Sequence, residues 1–551
     1  MDDLQPQRDG VRYVFITGGV VSSLGKGIAA SSIAALLQAH GYAVRIRKLD
    51  PYLNVDPGTM SPLQHGETFV LEDGAETDLD FGHYERFTGV RATRADAWTT
   101  GRLYSEVIAR ERRGDYLGAT VQVVPHITDA IKAAISSDAG GAAFVVVELG
   151  GTVGDIEGQP FLEAIRQFAN ERPRGSCMFV HLTLVPWVAA AGELKTKPTQ
   201  RSVKDLLAFG IQPDLLLCRC DRPIPDADLR KVAAFCSVRP EAVVAALDVS
   251  PILAVPVAFR AAGVDRVVLS HFGLPSDGKA DLSRWERAIE TLVAPEGCVR
   301  VAVVGKYASH HADAYKSVAE ALAHGGIANR VRVAIDWVDS ACLDVAADAR
   351  LLGAHAVVVP GGFGERGTDG MIAAIRYVRE RRVPFLGICF GMQLAVIETA
   401  RNVAGLAGAS SAEFGPSPHE VVCLMSAWHK DGAVQRRAAG ADMGGTMRLG
   451  AYPCDLVPGS LARLAYGVPG IVERHRHRYE VDVTYRARLA RAGMAFSGMS
   501  PDGRLPEVVE RPGHPWFVGV QFHPELASTP FVPHPLFRGL VAAAMLQSRL
   551  I

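Results

Sequence analysis

The chain has 551 residues, of which 48% are hydrophobic and 21% charged, so it is long enough for two to four domains of ordinary globular composition. Its 58 lysines and arginines nearly balance 59 aspartates and glutamates, which argues against nucleic acid or an anionic membrane as a partner. No apolar run approaches the ~18 residues of a membrane span, the N-terminus is too polar and acidic for a signal peptide, and the nine cysteines show no paired framework, so we expect a cytoplasmic protein.

A glycine-rich turn lies between the first two predicted elements. Residues 11–16 form an apolar run that predicts a strand, and the residues after the turn have the apolar spacing of a helix. Such a turn binds phosphate through its backbone N–H groups, and Lys26 would reach the terminal phosphates of a nucleoside triphosphate. The sequence of this turn differs from the usual P-loop motif in two places. Five residues separate Gly19 from Gly25, and Gly27 stands where a Ser or Thr normally binds magnesium. We therefore expect the metal ligands to come from other segments.

Acidic residues in three places could supply those ligands or contact the substrate. The run from Glu72 to Asp80 is, taken alone, more typical of a solvated surface. Residues 143–147 predict a buried parallel strand that ends in Glu148, and P-loop proteins hold their metal with acidic residues at such strand ends. Asp155 to Glu157 also lie past a strand end, where ligands of open α/β sheets bind.

Further apolar runs, at 177–185 and 214–218, alternate with helical patterns and predict an α/β domain with a mainly parallel sheet. Between them, Lys195 to Gln200 carries two lysines at alternate positions, which could clamp a second phosphate chain or form an exposed basic loop.

A polar, charged segment then separates this domain from a second one. Strand–helix alternation restarts at Val299. We therefore predict a domain at 1–274, a linker at 275–298 and a second α/β domain at 299–551.

The second domain contains a cysteine in a nucleophile-elbow pattern. Cys389 stands in G-x-C-x-G after an apolar run, where a tight strand-to-helix turn would lift the thiol above the sheet and the helix N-terminus would favour the thiolate. His523 and Glu525 lie two residues apart, and in an extended segment both would face Cys389 as general base and orienting partner. The backbone N–H of Phe390 and one from the Gly361–Gly362 turn would form an oxyanion hole.

These residues carry two resemblances that together span nearly the whole chain. The pattern of Cys389, His523 and Glu525 resembles the class I glutamine amidotransferases from about Val299 onward. The strings ITGGVVSSLGKGIAA, KLDPYLNVDPGTMSPLQHGE, EDGAETDLDFGHYERF, GGTVGDIEGQPF and KTKPTQ resemble the synthetase domain of the CTP synthase family. The resemblance implies an N-terminal P-loop domain of the dethiobiotin-synthetase-like type with a mainly parallel sheet, and a C-terminal class I glutaminase domain of α/β type. It implies ATP-dependent amination of UTP to CTP, with ammonia from glutamine.

The family match also implies roles for particular residues. Those for ATP are Ser23, Leu24, Gly25, Lys26, Gly27, Ile28, Asp80, Asp248 and Val249, and those for Mg²⁺ are Asp80 and Glu148. Those for the pyrimidine nucleotide are Ser22, Lys195, Thr196, Lys197, Pro198, Thr199, Gln200 and Lys231, with Asp155, Ile156 and Glu157 at the site where CTP inhibits. Those for glutamine are Gly362, Phe390, Gly391, Met392, Gln393, Glu413 and Arg478. The resemblance further implies activation by GTP and a homotetramer.

The sequence departs from the family pattern at three positions. Phe390 replaces a leucine after the nucleophile, Leu247 replaces a lysine near the adenine contact, and Ile252 replaces a tyrosine. The first change leaves the backbone N–H in place but alters the wall of the glutamine pocket, and the others put side-chain contacts to ATP in doubt. Two alternatives stay open from the residues: another ATP-dependent amidotransferase, such as a cobyric acid synthase-like enzyme, and a P-loop switch ATPase.

Overall fold

The structure is a computed structural model that describes residues 10–137, 139–308, 312–343, 347–425, 427–430, 433–436 and 447–549. Its β-strands in these residues are, in chain order, β1 (Arg12–Gly18), β2 (Val44–Asp50), β3 (Phe69–Val70), β4 (Glu76–Thr77), β5 (Ala97–Thr99), β6 (Phe144–Leu149), β7 (Cys177–Leu184), β8 (Trp187–Val188), β9 (Glu193–Leu194), β10 (Leu215–Cys220), β11 (Val243–Leu247), β12 (Cys298–Gly305), β13 (Arg332–Asp339), β14 (Ala356–Val359), β15 (Phe385–Ile388), β16 (Ala409–Ser411), β17 (His419–Leu424), β18 (Ala427–Lys430), β19 (Ala433–Arg436), β20 (Arg448–Leu456), β21 (Gly470–His477), β22 (Tyr479–Val481), β23 (Ala495–Met499), β24 (Pro506–Glu510) and β25 (Phe517–Val520). The α-helices of the same residues are α1 (Lys26–Ala39), α2 (Pro62–His65), α3 (Asp80–Thr88), α4 (Thr100–Arg113), α5 (Thr128–Ser136), α6 (Gln159–Asn170), α7 (Lys197–Ala208), α8 (Asp226–Cys236), α9 (Val255–Ala261), α10 (Val264–His271), α11 (Ser283–Val293), α12 (Lys316–Asn329), α13 (Ala347–Leu351), α14 (Thr368–Arg381), α15 (Phe390–Asn402), α16 (Leu461–Tyr466), α17 (Arg486–Arg491) and α18 (Pro535–Ser548).

The first of two compact units is built around a parallel sheet. It comprises the described parts of Met1–Asp56 and His83–Ile289, and its strands are ordered β11-β10-β7-β1-β6-β2-β5. All neighbouring pairs in this sheet are parallel. Parallel strands are covered on both faces, which explains why every residue of β6 is buried and why its first four residues are all apolar. The predicted mainly parallel sheet is confirmed.

The register of this sheet brings two predicted site segments to one edge. Ile16 of β1 pairs with Glu148 of β6, so the glycine-rich loop that follows β1 leaves the sheet beside that carboxylate. Gly25 precedes α1 with a φ of 93°, a left-handed conformation that glycine adopts at little cost. Val20 and Ser23 also have positive φ, at 78° and 55°, so the loop is held in conformations that side chains ordinarily disfavour.

The predicted connector contains a packed helix, α11. Trp285 is only 1% exposed and packs edge to face against Phe87, with ring centres 5.0 Å apart. Upstream of the helix, the backbone N–H of Asp281 donates to the carbonyl of Ala39 at 3.1 Å. The first part of the connector therefore belongs to the core of the first unit.

The second unit contains a nine-stranded sheet ordered β13-β12-β14-β15-β25-β24-β23-β20-β21. The pairs from β13 to β25 are parallel and the remaining pairs are antiparallel. Side chains alternate across the sheet: Val301 and Val303 pack in the cluster that includes α12 and α18, whereas Ala302 and Val304 pack with α14 and α15. The α/β domain predicted for the C-terminal half is confirmed.

The second unit also includes a segment from far upstream, Pro57–Gly82. The backbone N–H of Ala451 donates to the carbonyl of Glu72 at 2.8 Å, and the carboxylate of Glu67 accepts from the N–H of Ser317 at 2.8 Å. The units therefore do not follow chain order strictly, since this segment lies within the predicted domain 1–274 and packs with residues of 299–551.

Candidate functional site

Cys389 occupies the predicted nucleophile elbow. It joins β15 to α15 with a φ of 51°, and its side chain is almost completely buried. The flanking glycines are required by packing: a Cβ on Gly391 would lie 2.1 Å from the carbonyl oxygen of Val359, and one on Gly387 would lie 2.9 Å from the backbone of Gly391. The strained turn predicted from G-x-C-x-G is confirmed.

His523 and Glu525 form a hydrogen bond, with Nδ1 2.7 Å from Oε1. The expectation that they lie on an extended segment is wrong, because Pro524 begins a 3₁₀ helix, Pro524–Leu526, in which Glu525 folds back toward the imidazole. Burial lowers the pKa of His523, but the negative charges of Glu525 and Cys389 outweigh it and raise the pKa to about 10. Nε2 has no hydrogen-bond partner within the described residues, while Cys389 is close enough to act on the ring electrostatically. The arrangement favours an imidazolium beside the sulfur of Cys389.

The turn after β14 lies against these residues. A Cβ on Gly361 would approach Cε1 of His523 to 2.9 Å, so the turn comes this close because position 361 is glycine. Lys306 holds the turn by donating to the carbonyl oxygens of Phe363, at 2.8 Å, and Gly364. Burial lowers the pKa of Lys306 to about 8, against the attraction of Glu413. The predicted oxyanion hole would lie between this turn and the start of α15, since the first N–H groups of a helix have no partner within the helix.

The residues predicted to bind glutamine fall into two groups. Glu413 accepts from the N–H of Gly364 at 2.6 Å, and Arg478 is close enough for its charge to oppose the rise that burial produces in the pKa of Glu413. Met392, by contrast, is fully buried in the hydrophobic core on one face of the sheet. Gln393 donates to the carbonyl of Tyr479 at 2.9 Å. The structure thus brings Glu413 and Arg478 together near the turn and places Met392 in the core.

A cavity of about 90 Å³ connects the catalytic residues to side chains that the sequence did not single out. It is lined by Pro62, Glu67, Thr68, Tyr307, Ala314, Tyr315, Val318, Pro360, Gly361, Gly362, Phe363, Cys389, Arg476, His523, Glu525 and Leu526. Arg476 contributes twice, since its carbonyl oxygen lies 3.7 Å from Sγ of Cys389 and its guanidinium 5.4 Å from the ring of Phe363. The run of polar residues from Glu473 to Tyr479 was a signal for Arg476. Glu67 stands at the end of the string KLDPYLNVDPGTMSPLQHGE but was given no role, and nothing in the sequence pointed to Tyr315.

In the first unit, the glycine-rich loop rests on a buried polar network. His181 of β7 bonds through Nδ1 to the hydroxyl of Thr17, at 2.8 Å, and through Nε2 to that of Ser202, at 2.7 Å. A Cβ on Gly19 would lie 1.7 Å from the Ser202 hydroxyl, so the loop packs directly on this network. Lys26 donates to the carbonyl of Gly151 at 2.6 Å, between the loop and the segment after β6. The sequence signal for the network was a single histidine in an otherwise apolar strand.

A cavity of about 390 Å³ adjoins the loop and gathers residues predicted to bind ATP. It is lined by Leu24, Gly25, Ile28, Ala29, Leu182, Arg219, Ala246, Leu247, Asp248, Val249, Ile252, Val255 and Phe259. Arg219, which the sequence did not single out, donates to Asp248 at 2.8 Å and to the carbonyl of Leu24 at 3.0 Å, joining the two predicted segments. Leu247 and Ile252, the two expected departures from the family pattern in this region, both line the cavity with apolar side chains.

The carboxylates predicted to hold magnesium lie in different surroundings. Glu148 is buried at the end of β6 and accepts a hydrogen bond from the hydroxyl of Tyr84. Asp80 begins α3. Within the described residues, no group of three or more His, Cys, Asp or Glu side chains could hold a metal ion. A buried carboxylate oxygen at the phosphate-loop edge fits Mg²⁺, which takes one or two protein carboxylates and completes its shell with phosphate oxygens and water.

Several of the residues predicted for the pyrimidine nucleotide lie at or near the start of α7. Lys195 donates to Glu193, and both Lys195 and the nearby Lys231 lower the pKa of that carboxylate. Lys197 begins α7, so the predicted loop is the N-terminus of a helix, which itself favours anions. Thr199 is buried and donates to the carbonyl of Leu184 at 3.1 Å. The structure thus gathers Lys195 and Lys231 near one helix start.

The remaining pyrimidine residues lie apart in the chain from that helix. Asp155 precedes a 3₁₀ helix, Ile156–Gly158, and Ile156 is 73% exposed. Ser22 lies in the glycine-rich loop and is exposed.

Comparison with known proteins covers the same two regions. The family model for the CTP synthase N-terminus matches residues 12–274, and that for class-I glutamine amidotransferases matches residues 310–543. A CTP synthase of Acidiphilium cryptum (strain JF-5) is 68% identical over 98% of this chain and 100% of the relative. A CTP synthase of Granulibacter bethesdensis is 64% identical over 98% of this chain and 100% of the relative. Among solved structures, the glutaminase domain of Trypanosoma brucei CTPS with bound acivicin is 41% identical, with a TM-score of 0.41, and covers 45% of this chain and 94% of that domain.

The second unit is a class I glutamine amidotransferase, defined by the elbow cysteine, the histidine–glutamate pair and the α/β sheet beneath them. It is joined in one chain to the nucleotide-binding unit with the parallel sheet. Relatives that are CTP synthases match nearly the full length of the chain at 60–68% identity, so the chain belongs to the CTP synthase family. Neither a cobyric acid synthase-like enzyme nor a switch ATPase is favoured by these matches. No helix in the part of the chain that the structure describes is long and apolar enough to cross a membrane.

Proposed function

We propose that the protein makes CTP from UTP, ATP and glutamine, with glutamine hydrolysed in the C-terminal domain (299–551) and UTP aminated in the N-terminal domain (1–274), which a linker (275–298) joins. The family assignment makes it a glutamine-hydrolysing ligase of pyrimidine biosynthesis. The observation that carries the proposal is the Cys389 elbow beside a hydrogen-bonded His523–Glu525 pair, in a chain that also matches the CTP synthase N-terminus.

In the glutaminase site, the sulfur of Cys389 attacks the side-chain amide carbon of glutamine. The negative charge that develops on the amide oxygen is stabilised by the N–H of Phe390 and one from the Gly361–Gly362 turn. The imidazolium of His523 then protonates the leaving nitrogen, the C–N bond breaks, and ammonia leaves a thioester. Water hydrolyses the thioester with His523 as base, which gives glutamate and restores the thiol. Glu525 holds the imidazole and stabilises its positive form.

Glutamine is bound by Gly362, the start of α15 from Phe390 to Gln393, Glu413 and Arg478. The proximity of Glu413 and Arg478 at the turn supports this, since an amino acid offers both an ammonium and a carboxylate to opposite charges. Burial of Met392 supports an indirect role for that side chain, in fixing the helix that follows the nucleophile.

In the synthetase site, the terminal phosphoryl group of ATP passes to the 4-oxygen of UTP, and ADP leaves. Ammonia then attacks C4, and inorganic phosphate departs with that oxygen to give CTP. Phosphorylation is needed because the 4-oxygen is otherwise a poor leaving group. Residues 23–28 bind the ATP phosphates, and Asp248 and Val249 bind its adenosine portion in the apolar cavity.

Asp80 and Glu148 would hold Mg²⁺, which neutralises phosphate charge when bound. Ser22, Lys195 to Gln200 and Lys231 bind UTP, and Asp155 to Glu157 contribute where CTP inhibits. The clustering of Lys195 and Lys231 at a helix start supports a triphosphate there.

Regulation and assembly follow the family pattern: GTP activates the glutaminase reaction, CTP inhibits, and four copies associate. A cytoplasmic location is supported by nine free cysteines, and a near-neutral net charge of -1 supports partners that are small molecules rather than nucleic acid.

The decisive experiment is CTP formation by the purified full chain with ATP, magnesium and UTP, supplied with either glutamine or ammonium. We expect CTP from both nitrogen sources, separated by ion-exchange chromatography, and glutamate in step with CTP when glutamine is used. If a folded protein supplied with magnesium makes no CTP from glutamine and none from ammonium, the proposal is overturned.

A further inference from the structure

Gln521 precedes the catalytic histidine by two residues and reaches the catalytic sulfur. Its Nε2 lies 3.6 Å from Sγ of Cys389, a separation suited to an N–H donor and the large sulfur atom. The side chain of Gln521 is fully buried and that of Cys389 is 3% exposed, so the contact is shielded from bulk solvent. A hydrogen bond to a developing charge is stronger in such surroundings than in water.

The orientation of the Gln521 amide is fixed by its neighbours. Gln393 donates from Nε2 to the carbonyl of Tyr479, at 2.9 Å, and from the same nitrogen to Oε1 of Gln521, at 3.2 Å. A carbonyl can only accept, so the nitrogen of Gln393 must face Tyr479 and the oxygen of Gln521 must face Gln393. The NH₂ group of Gln521 is thereby directed at the sulfur, because the opposite orientation would set two donors against each other.

The backbone supports the same contact. The N–H of Cys389 donates to the carbonyl of Val520 at 2.6 Å, and the N–H of Gln521 donates to the carbonyl of Glu507 at 2.9 Å. Val520, the last residue of β25, thus bonds to the backbone of Cys389, and the next residue, Gln521, contacts its side chain. Phe522 is buried in the core between Gln521 and His523, as alternation along an extended chain requires.

Among the residues that the structure describes, the sulfur has one acceptor and one donor besides the imidazole. The thiol form can donate to the carbonyl of Arg476, 3.7 Å away, but that carbonyl repels a thiolate. We propose that Gln521 is a further catalytic residue, whose side-chain amide donates to the Cys389 sulfur and stabilises its thiolate, with Gln393 as the positioning residue. In that step the S–H bond breaks, the proton moves to Nε2 of His523, and the electron pair remains on sulfur beside the Gln521 N–H. The inference rests on the proposed role of Cys389 as nucleophile.

Several other titratable groups lie near the sulfur. His523 and Glu525 form the catalytic pair already described. His475 and His477, on β21, are close enough to act on His523, but burial holds the pKa of each well below its usual value and keeps them neutral. Lys306 has a pKa of about 8, and its titration is common to the wild type and to any Gln521 variant.

The test measures thiolate formation directly in the full-length protein. Wild type, Gln521→Leu and Gln521→Glu are alkylated with iodoacetamide between about pH 5 and about pH 9, and the Cys389 peptide is followed by mass spectrometry, because only the thiolate reacts. Leu removes the donor at similar size, and Glu keeps the acceptor for Gln393 but offers the sulfur a negative charge. Thr399→Val is the matched control, since this buried residue on α15 has a hydroxyl without a hydrogen-bond partner among the described residues.

We expect the alkylation profile of Gln521→Leu to move upward by roughly one pH unit and that of Gln521→Glu by at least as much, with Thr399→Val unchanged. Glutamine-dependent kcat/KM should fall by roughly tenfold at pH values below the midpoint, while ammonia-dependent CTP formation is retained as proof of folding. Profiles of the folded variants that superimpose on wild type would overturn the inference; if Gln521→Leu fails to fold, Gln521→Glu decides alone. Failure of the nucleophile assignment is distinguishable, because Cys389→Ala would then retain glutamine-dependent activity.

Discussion

Nδ1 of His523 lies 2.7 Å from Oε1 of Glu525, and their side chains are only 13% and 8% exposed. The carboxylate therefore keeps the imidazole positively charged well above its ordinary range, with a pKa of about 10. For glutamine hydrolysis this means that the acid needed to protonate departing ammonia is present throughout the neutral range.

The first prediction concerns the alkaline limb of the pH profile. Glu525→Gln removes the attraction that favours the imidazolium, so the pKa of His523 falls and the alkaline limb of kcat/KM for glutamate release moves to lower pH. The variant should lose activity at lower pH than wild type, while the titration of Lys306, with a pKa of about 8, is common to both proteins. Circular dichroism at each pH serves as the folding control. Coincident alkaline limbs would show that Glu525 does not set this pKa.

Cys389→Ala separates the two reactions. The variant should lose glutamine-dependent CTP formation completely and retain ammonia-dependent formation, because ammonia enters the second reaction without a thioester. Both rates are measured on the same preparation at saturating ATP and UTP. Retained glutaminase activity would contradict the nucleophile assignment, and loss of both would show that the thiol supports the fold or the coupling between reactions.

Lys26→Ala should abolish CTP formation from either nitrogen source, since the phosphate loop would lose the cation placed to contact the ATP phosphates. Lys26 now donates to the carbonyl of Gly151 at 2.6 Å, at the edge of the sheet where β1 and β6 end. Glutamate release in the absence of nucleotide should persist, which controls for folding of the second unit. Substantial CTP from ammonia would exclude Lys26 from phosphate binding.

Lys306→Met tests the support of the oxyanion turn. The substitution keeps an apolar stem of similar length but removes the hydrogen bonds to Phe363 and Gly364, so the turn should loosen. We expect kcat/KM for glutamine to fall by roughly tenfold or more, with ammonia-dependent activity unchanged. Arg376→Met, which removes an exposed pair with Glu380 on α14, is the control. An unchanged kcat/KM would show that the turn holds its shape without the ammonium group.

Local patterns predicted the nucleophile and the phosphate loop because both features are written in consecutive residues. The G-x-C-x-G elbow at Cys389 and the strand before Gly19 depend on the backbone within a few positions, and both were found as predicted. The rule that side chains two residues apart in an extended chain share a face was used to predict that His523 and Glu525 point the same way. The extended segment ends at His523, because Pro524 begins a 3₁₀ helix, so the rule applies to Gln521 and His523 instead. A rule of periodicity fails where a proline changes the backbone.

Residues brought in from distant segments could not be predicted in this way. Lys306 and Glu67 lie more than 80 residues from Cys389 in sequence and reach its cavity or its turn only through the fold. Arg219 joins two predicted ATP segments, yet in the sequence it is one polar residue within a strand. His181 likewise lies within an apolar strand, where a lone histidine is more often structural than functional. Here it is structural, and it bonds to Ser202, on which the phosphate loop packs.

The last prediction follows from that histidine. Burial, and to a smaller extent the charge of Lys26, lowers the pKa of His181 to about 3, so the ring is neutral in the folded protein. An unfolded histidine has a pKa of about 6.5 and binds a proton first, so the free energy of unfolding falls as pH drops from about 6.5 toward 3, by up to ~1.4 kcal/mol per pH unit. Above about 6.5 this stabilisation is fully present.

His181→Gln should remove that dependence while weakening the network with Thr17 and Ser202 at neutral pH. Hydrogen exchange of the β1 and β7 amides, followed by mass spectrometry and corrected for intrinsic rates, measures the local opening free energy at each pH. We expect wild-type protection in these strands to decline between pH values of about 6.5 and 4.5, and the variant, less protected at the start, to decline less steeply. His126→Gln, at a partly exposed position in the same unit, should follow wild type. Parallel slopes for wild type and His181→Gln would show that another buried group governs acid sensitivity beneath the loop.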